Sequence, residues 1–178
     1  MLTVAPPDAT ELRSNTTFEA LMWALSRPGD IRTLPEAGFG AIVETLVDLE
    51  CSAYADTPEM RERIVASGAM LADRIGNADH VFITVFEDAG QQLAEINCGT
   101  ALYPDDGATL IVAAAHQGQR VRLSGPGIKD TTEIALAVPP GFWAMRDMLC
   151  LYPEGFDIFC VDGDKVIGIP RSTKVEVL

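Results

Sequence analysis

The chain has few of the residues that most often do chemistry: two histidines, three lysines and four cysteines in 178 positions. Cys51, Cys98, Cys150 and Cys160 are widely scattered without a Cys-x-x-Cys spacing, so no zinc signature exists, and in a reducing compartment they read as small buried hydrophobes. His80 stands at a strand start and His116 before the turn-like Gln117-Gly118. With no Gly-x-Ser-x-Gly elbow to pair with, both histidines read as structural. Among Lys129, Lys165 and Lys174, Lys129 comes nearest to a Schiff-base lysine, yet it adjoins Asp130, which suggests a solvated ion pair. No catalytic set, metal site or cofactor is assigned. Long hydrophobic runs are missing too: a membrane span needs about 20 apolar residues, and the best run, Ala108 to Ala115, is strand-sized. The first eight residues carry neither a basic region nor an apolar stretch, so no signal peptide is expected and the cytoplasm is the expected compartment. Positive charge is scarce, with 13 Lys and Arg against 26 Asp and Glu, a net charge of −13 and no basic run. Nucleic acid and anionic membranes are therefore not expected as partners.

What is present is a globular composition, 48% hydrophobic and 22% charged, sized for a single domain over residues 1–178, with 1–14 expected to form a loose N-terminal extension. Thr16-Thr17-Phe18-Glu19 matches a capping box, and Phe18, Leu21, Met22 and Leu25 follow at helical spacing until Pro28-Gly29. A strand is expected over Ile31 to Leu34, a helix over Phe39 to Leu49 and a strand over Cys51 to Ala55. Thr57-Pro58-Glu59 starts a helix expected to run to Gly76, with acid and base over Glu59 to Arg63 on a solvated face. His80 to Phe86 and Ala108 to Ala114 read as buried strands, Gln91 to Ile96 and Pro139 to Leu151 as helices, and Gln119 to Leu123 as a strand near the sheet edge. Phe156 to Val161 and Lys165 to Ile169 flank Asp162-Gly163-Asp164 as an antiparallel hairpin, and Lys174 to Val177 alternates as a strand. Helices and strands in this order indicate an α/β chain, a three-layer α/β/α sandwich on a mixed sheet. Trp23 and Trp143, on apolar helices, read as packing residues.

Two segments are suited to an anion. Ser124-Gly125-Pro126-Gly127 follows a strand, and its glycines allow backbone N–H groups to turn toward a negative charge, or simply allow a tight connection. Arg171-Ser172-Thr173 sets a planar guanidinium beside two hydroxyls, which suits a phosphate or carboxylate; alternatively Arg171 neutralises an internal acid such as Asp157 or Glu176. The candidate anion-binding residues are thus Ser124, Gly125, Gly127, Arg171, Ser172 and Thr173.

Ser26-Arg27-Pro28-Gly29, Gly107 to Ile111, Arg122 to Ile128, Pro153 to Asp157 and Ile169 to Val177, in this order and spacing, resemble the PhnH family, a component of the bacterial carbon-phosphorus lyase core complex. The likeness runs from about Thr16 to the C-terminus and is weakest over Asp56 to Leu93. It implies a fold similar to the large domain of pyridoxal-phosphate-dependent (PLP-dependent) transferases, without that cofactor. It also implies a homodimer that joins carbon-phosphorus lyase subunits G, I and J. In that family the PhnH component acts with subunits G and I to transfer an alkylphosphonate to the ribose of ATP with loss of adenine, giving ribose 1-phosphonate 5-triphosphate. ATP or an alkylphosphonate is then a possible ligand, and a purely structural adaptor is the alternative. The scattered cysteines cannot form an iron-sulfur cluster site, so this is not the radical subunit.

Overall fold

Helix α1 (Ala9–Ser26) begins seven residues before the threonines expected to cap it. In the computed structural model, which describes residues 6–178, the Asp8 side chain accepts from the Thr10 and Glu11 amides while Glu11 accepts from the Asp8 amide, a complete capping box. Thr16 and Thr17 instead turn their hydroxyls back onto the carbonyls of Leu12 and Arg13, as mid-helix threonines do. Residues 9–14, expected in a loose extension, are therefore helical, and residues 1–5 lie outside the described residues.

The remaining elements follow in the order β1 (Arg32–Thr33), α2 (Gly40–Leu46), β2 (Ser52–Ala55), α3 (Pro58–Ser67), β3 (Met70–Leu71), β4 (His80–Ile83), α4 (Ala89–Ala94), β5 (Thr109–Ala113), β6 (Gln119–Ser124), β7 (Thr132–Leu136), α5 (Phe142–Leu149), β8 (Asp157–Asp162), β9 (Lys165–Ile169) and β10 (Lys174–Val177). Several limits differ from expectation for local reasons. Helix α2 stops at Leu46 because Val47 turns extended. Helix α3 does start at Thr57-Pro58, but it ends at Ser67, where Gly68 takes a left-handed C-cap, and Met70–Leu71 becomes a short strand instead of more helix. Strand β4 ends at Ile83 because the Asp56 carboxylate captures the amides of Thr84 and Val85 at 2.6 and 3.0 Å.

Seven strands form one mixed sheet in the order β1-β9-β8-β5-β4-β2-β3. The β3-β2-β4-β5-β8 block is parallel, and β9 and β1 add antiparallel, with the expected β8–β9 hairpin closed by Asp162 opposite Lys165. A second, antiparallel sheet of order β10-β6-β7 departs from the single-sheet expectation. Strand β6 is its centre, not an edge of the large sheet, and β7 is an element that the sequence pattern does not announce. Along the central strands alternate residues enter two different cores. Phe82, Ile111, Phe159 and Val161 pack with α1, α2 and α3 on one face, whereas Val81, Ile83, Leu110, Val112 and Ile158 pack with α5 and with Val121, Leu123 and Leu136 of the small sheet on the other.

Helix α1 lies directly on β9. A Cβ on Gly168 would come within 2.6–2.7 Å of the Ala24 and Leu25 backbone, so glycine is required for this approach. Close contact selects the small face of the helix, and Ala20 and Ala24 are buried while Phe18, Met22 and Trp23 stay exposed. Of the four apolar residues at helical spacing, Leu21 is buried and Leu25 packs against the core, whereas Phe18 and Met22 are exposed. Trp143, in contrast, is buried and meets Phe142 edge to face. No described helix is long and apolar enough to cross a membrane.

Candidate functional site

Strand β9 leaves the large sheet at Ile169, and residues 170–173 carry the chain across to β10 of the small sheet. Arg171 in this crossing is locked internally. Its amide donates to Asp157 Oδ1 at 2.7 Å, its Nη2 to Asp157 Oδ2 at 2.9 Å, and its Nη1 and Nη2 reach the carbonyls of Pro104 and Gly107. Of the two partners weighed for it, Asp157 is the one found. Glu176 instead joins Arg122, which stands between Glu176 of β10 and Glu133 of β7 in a cross-strand charge ladder.

The Ser124–Gly127 turn is brought to the same crossing but not to the Arg171 guanidinium. Gly125 packs on the Ser172 carbonyl and the Thr173 backbone, and a Cβ on Gly127, whose φ is +82°, would run into the Ser26 carbonyl and Pro28. These are the close backbone approaches of a connection joining the small sheet to the end of α1. Ser124 itself pairs opposite Lys174 in the β6–β10 ladder.

Beside the crossing lies a cavity of about 620 Å³, lined by Arg171, Ser172, Thr173 and Lys174 on one side and by Arg146 and the end of α5 on the other. Three of the six candidate residues thus share a cavity, and Ser124, Gly125 and Gly127 do not line it. Arg146, absent from the candidate set, is its most unusual wall. It is only 2% exposed and has no carboxylate within 4 Å among the described residues. Nη1 donates to the Thr173 carbonyl at 3.1 Å and Nη2 to the Pro170 carbonyl at 2.7 Å, while Nε is buried without a partner. Thr173 Oγ1 is likewise buried and unpartnered. Burial pushes the Arg146 pKa down, against the pull of Cys150, Asp147 and Asp157, yet a guanidinium stays protonated in proteins. A signal exists in the sequence: Arg146 stands four residues after Phe142, on the face that α5 buries.

The neighbouring cysteines read as packing. Cys160 is fully buried and its thiol is pushed up to about 12, so it stays neutral. His116 is tied to β8 through Asp162 and the Cys160 carbonyl, which supports a structural part for it.

A family model described as bacterial phosphonate metabolism protein (PhnH) matches residues 8–176. Two relatives resemble the chain along nearly all of their length. A putative C-P lyase subunit protein, HtxG of Stutzerimonas stutzeri, is 29% identical over 93% of this chain and 87% of its own. The PhnH subunit of alpha-D-ribose 1-methylphosphonate 5-triphosphate synthase of Rhizobium meliloti (strain 1021) is 29% identical over 92% and 90%.

Proposed function

Since this chain belongs to the PhnH family of bacterial phosphonate metabolism proteins, we propose that it serves as a subunit of a carbon-phosphorus lyase assembly, working with subunits G and I in the transfer of an alkylphosphonate to the ribose of ATP. The observation that carries this reading is the match from residue 8 to residue 176, which leaves no described element outside the family pattern. In such a transfer a phosphonate oxygen forms a bond to the ribose C1 carbon while the bond from that carbon to adenine breaks, and adenine departs with the electron pair and takes up a proton. The step needs an aligned anionic nucleophile and stabilisation of the departing base. Among the described residues no side chain is assigned as a general acid, and the reading gives this chain assembly and the holding of an anion. A three-layer sandwich like the large domain of pyridoxal-phosphate-dependent transferases accompanies the reading, supported by cores on both faces of the large sheet. Homodimer formation and contact with subunits G, I and J belong to it as well, and the exposed Phe18, Met22 and Trp23 on α1 support an apolar contact.

A purely structural adaptor is the second reading. It is favoured by Arg171, whose fork is filled by Asp157 and two carbonyls and is not free for a ligand. The test is reconstitution of G, I and J subunits with and without this chain, followed by measurement of adenine released from ATP in the presence of methylphosphonate. Release that depends on this chain is expected. A complex that assembles and releases adenine equally well without it would overturn the proposal.

A further inference from the structure

We infer that the cavity between α5 and the 170–174 crossing is an oxyanion site, with Arg146 Nε and Thr173 Oγ1 as its donors, and with more than enough room for a phosphonate or phosphate group. A guanidinium that is 2% exposed, with no carboxylate within 4 Å among the described residues and with two of its five N–H groups bonded only to carbonyls, carries positive charge that no direct ion pair neutralises. Thr173, whose buried hydroxyl is a second orphan donor, is among the residues around the same cavity. Local charge agrees with an anionic occupant. Arg146, Arg171 and Lys174 line the cavity against Asp147, and with Arg171 neutralised by Asp157 the balance stays positive, in a chain whose net charge is −13. The hollow lined by Asp73, Arg74, Glu87, Asp88 and Glu95 has the opposite balance. Both orphan atoms are shielded from water, so the ligand reaches them by side-chain adjustment at the exposed rim formed by Leu151 and Tyr152. Arg171 contributes neither hydrogen bonds nor much net field, because Asp157 occupies its fork and neutralises its charge.

The proposed phosphonate function enters only in the choice of ligand class. Phosphorus-31 titrations of the full chain with methylphosphonate and with inorganic phosphate test the site and distinguish the two sources of the same oxyanion. Saturable binding of at least one of them is expected, with a higher Tm in its presence. Thr173→Val should weaken binding about tenfold, the worth of one hydrogen bond to a charged group, with little change in the Tm of the unliganded protein. Arg146→Lys should also weaken it, because the fork is lost. Arg122→Gln, which removes a cation from the exposed charge ladder, should leave affinity as it was. Absence of saturable binding by the unaltered chain, or binding that survives both Thr173→Val and Arg146→Lys, would overturn the site and leave Arg146 as a fastener of the crossing. Either result is independent of adenine release by the reconstituted complex, so the two proposals fail separately.

Discussion

His80 opens β4 with its Nδ1 buried and unpartnered, and burial pushes its pKa down against the pull of Asp79. The folded value therefore lies below the unfolded one of about 6.5. As pH falls through that value the unfolded chain takes up the proton first, so this contribution to stability is complete above about pH 6.5 and is lost as pH drops toward the folded pKa. His80→Gln should flatten that slope. Urea midpoints at about pH 7.5 and about pH 5.5 measure it, and equal losses in both proteins would show that His80 is not the group responsible. Arg171→Ala should destabilise the chain by about 3 kcal/mol, since it strands a partly buried Asp157 and frees the carbonyls of Pro104 and Gly107. Arg171→Lys should recover only part of this, because an ammonium cannot span both carboxylate oxygens. Chemical denaturation separates the three proteins, and equal midpoints would refute the clamp. The Asp157 pair is one of two partners legible in the sequence. Arg146 is marked in the sequence only by standing four residues after Phe142, and an arginine within an apolar helical run otherwise reads as the wet side of the helix until the helix has a neighbour.

Helix starts and stops are readable where side chains make the cap and the spacing is unambiguous. Thr57-Pro58 meets that condition, whereas the Asp8–Glu11 box competes with a threonine of the same spacing, and Gly68 competes with Gly76 as the stop until its left-handed backbone is seen. The small sheet is hidden because β7 pairs with β6 across a glycine turn without a two-residue hairpin signal, and because β10 reaches β6 from the far end of the chain. Seating of α1 on β9 is equally invisible in the sequence, since it depends on one glycine in a strand. Gly168→Ala should lower stability by about 2 kcal/mol, because backbone atoms of Ala24 and Leu25 stand where the methyl group would go. Thermal unfolding measures this, and an unchanged Tm would mean that the helix rides higher on the strand.

At the scale of the whole molecule, α/β character and a mixed sheet are legible from the order of elements, and the division of the strands between two sheets is not. An exposed Phe18 beside Met22 and Trp23 predicts self-association through α1. Phe18→Glu should shift sedimentation at micromolar concentration toward the monomer while circular dichroism stays the same; an unaltered sedimentation profile would move the contact elsewhere. Removal of residues 171–178 takes away β10, the Arg171 clamp and one of the two carbonyls that hold Arg146, and the expected outcome is insoluble protein on expression. The position of β8 also shapes how the chain is made. Strand β8 is the neighbour of β5, yet several dozen residues, including the whole of β6, β7 and α5, are translated between them. At roughly 5–20 residues per second a ribosome leaves the apolar β5 edge without its partner for seconds. During that interval Leu110, Ile111 and Val112 are open to pairing with another nascent chain, so yield in the cell should depend on chaperone capacity and on the speed of translation through this stretch.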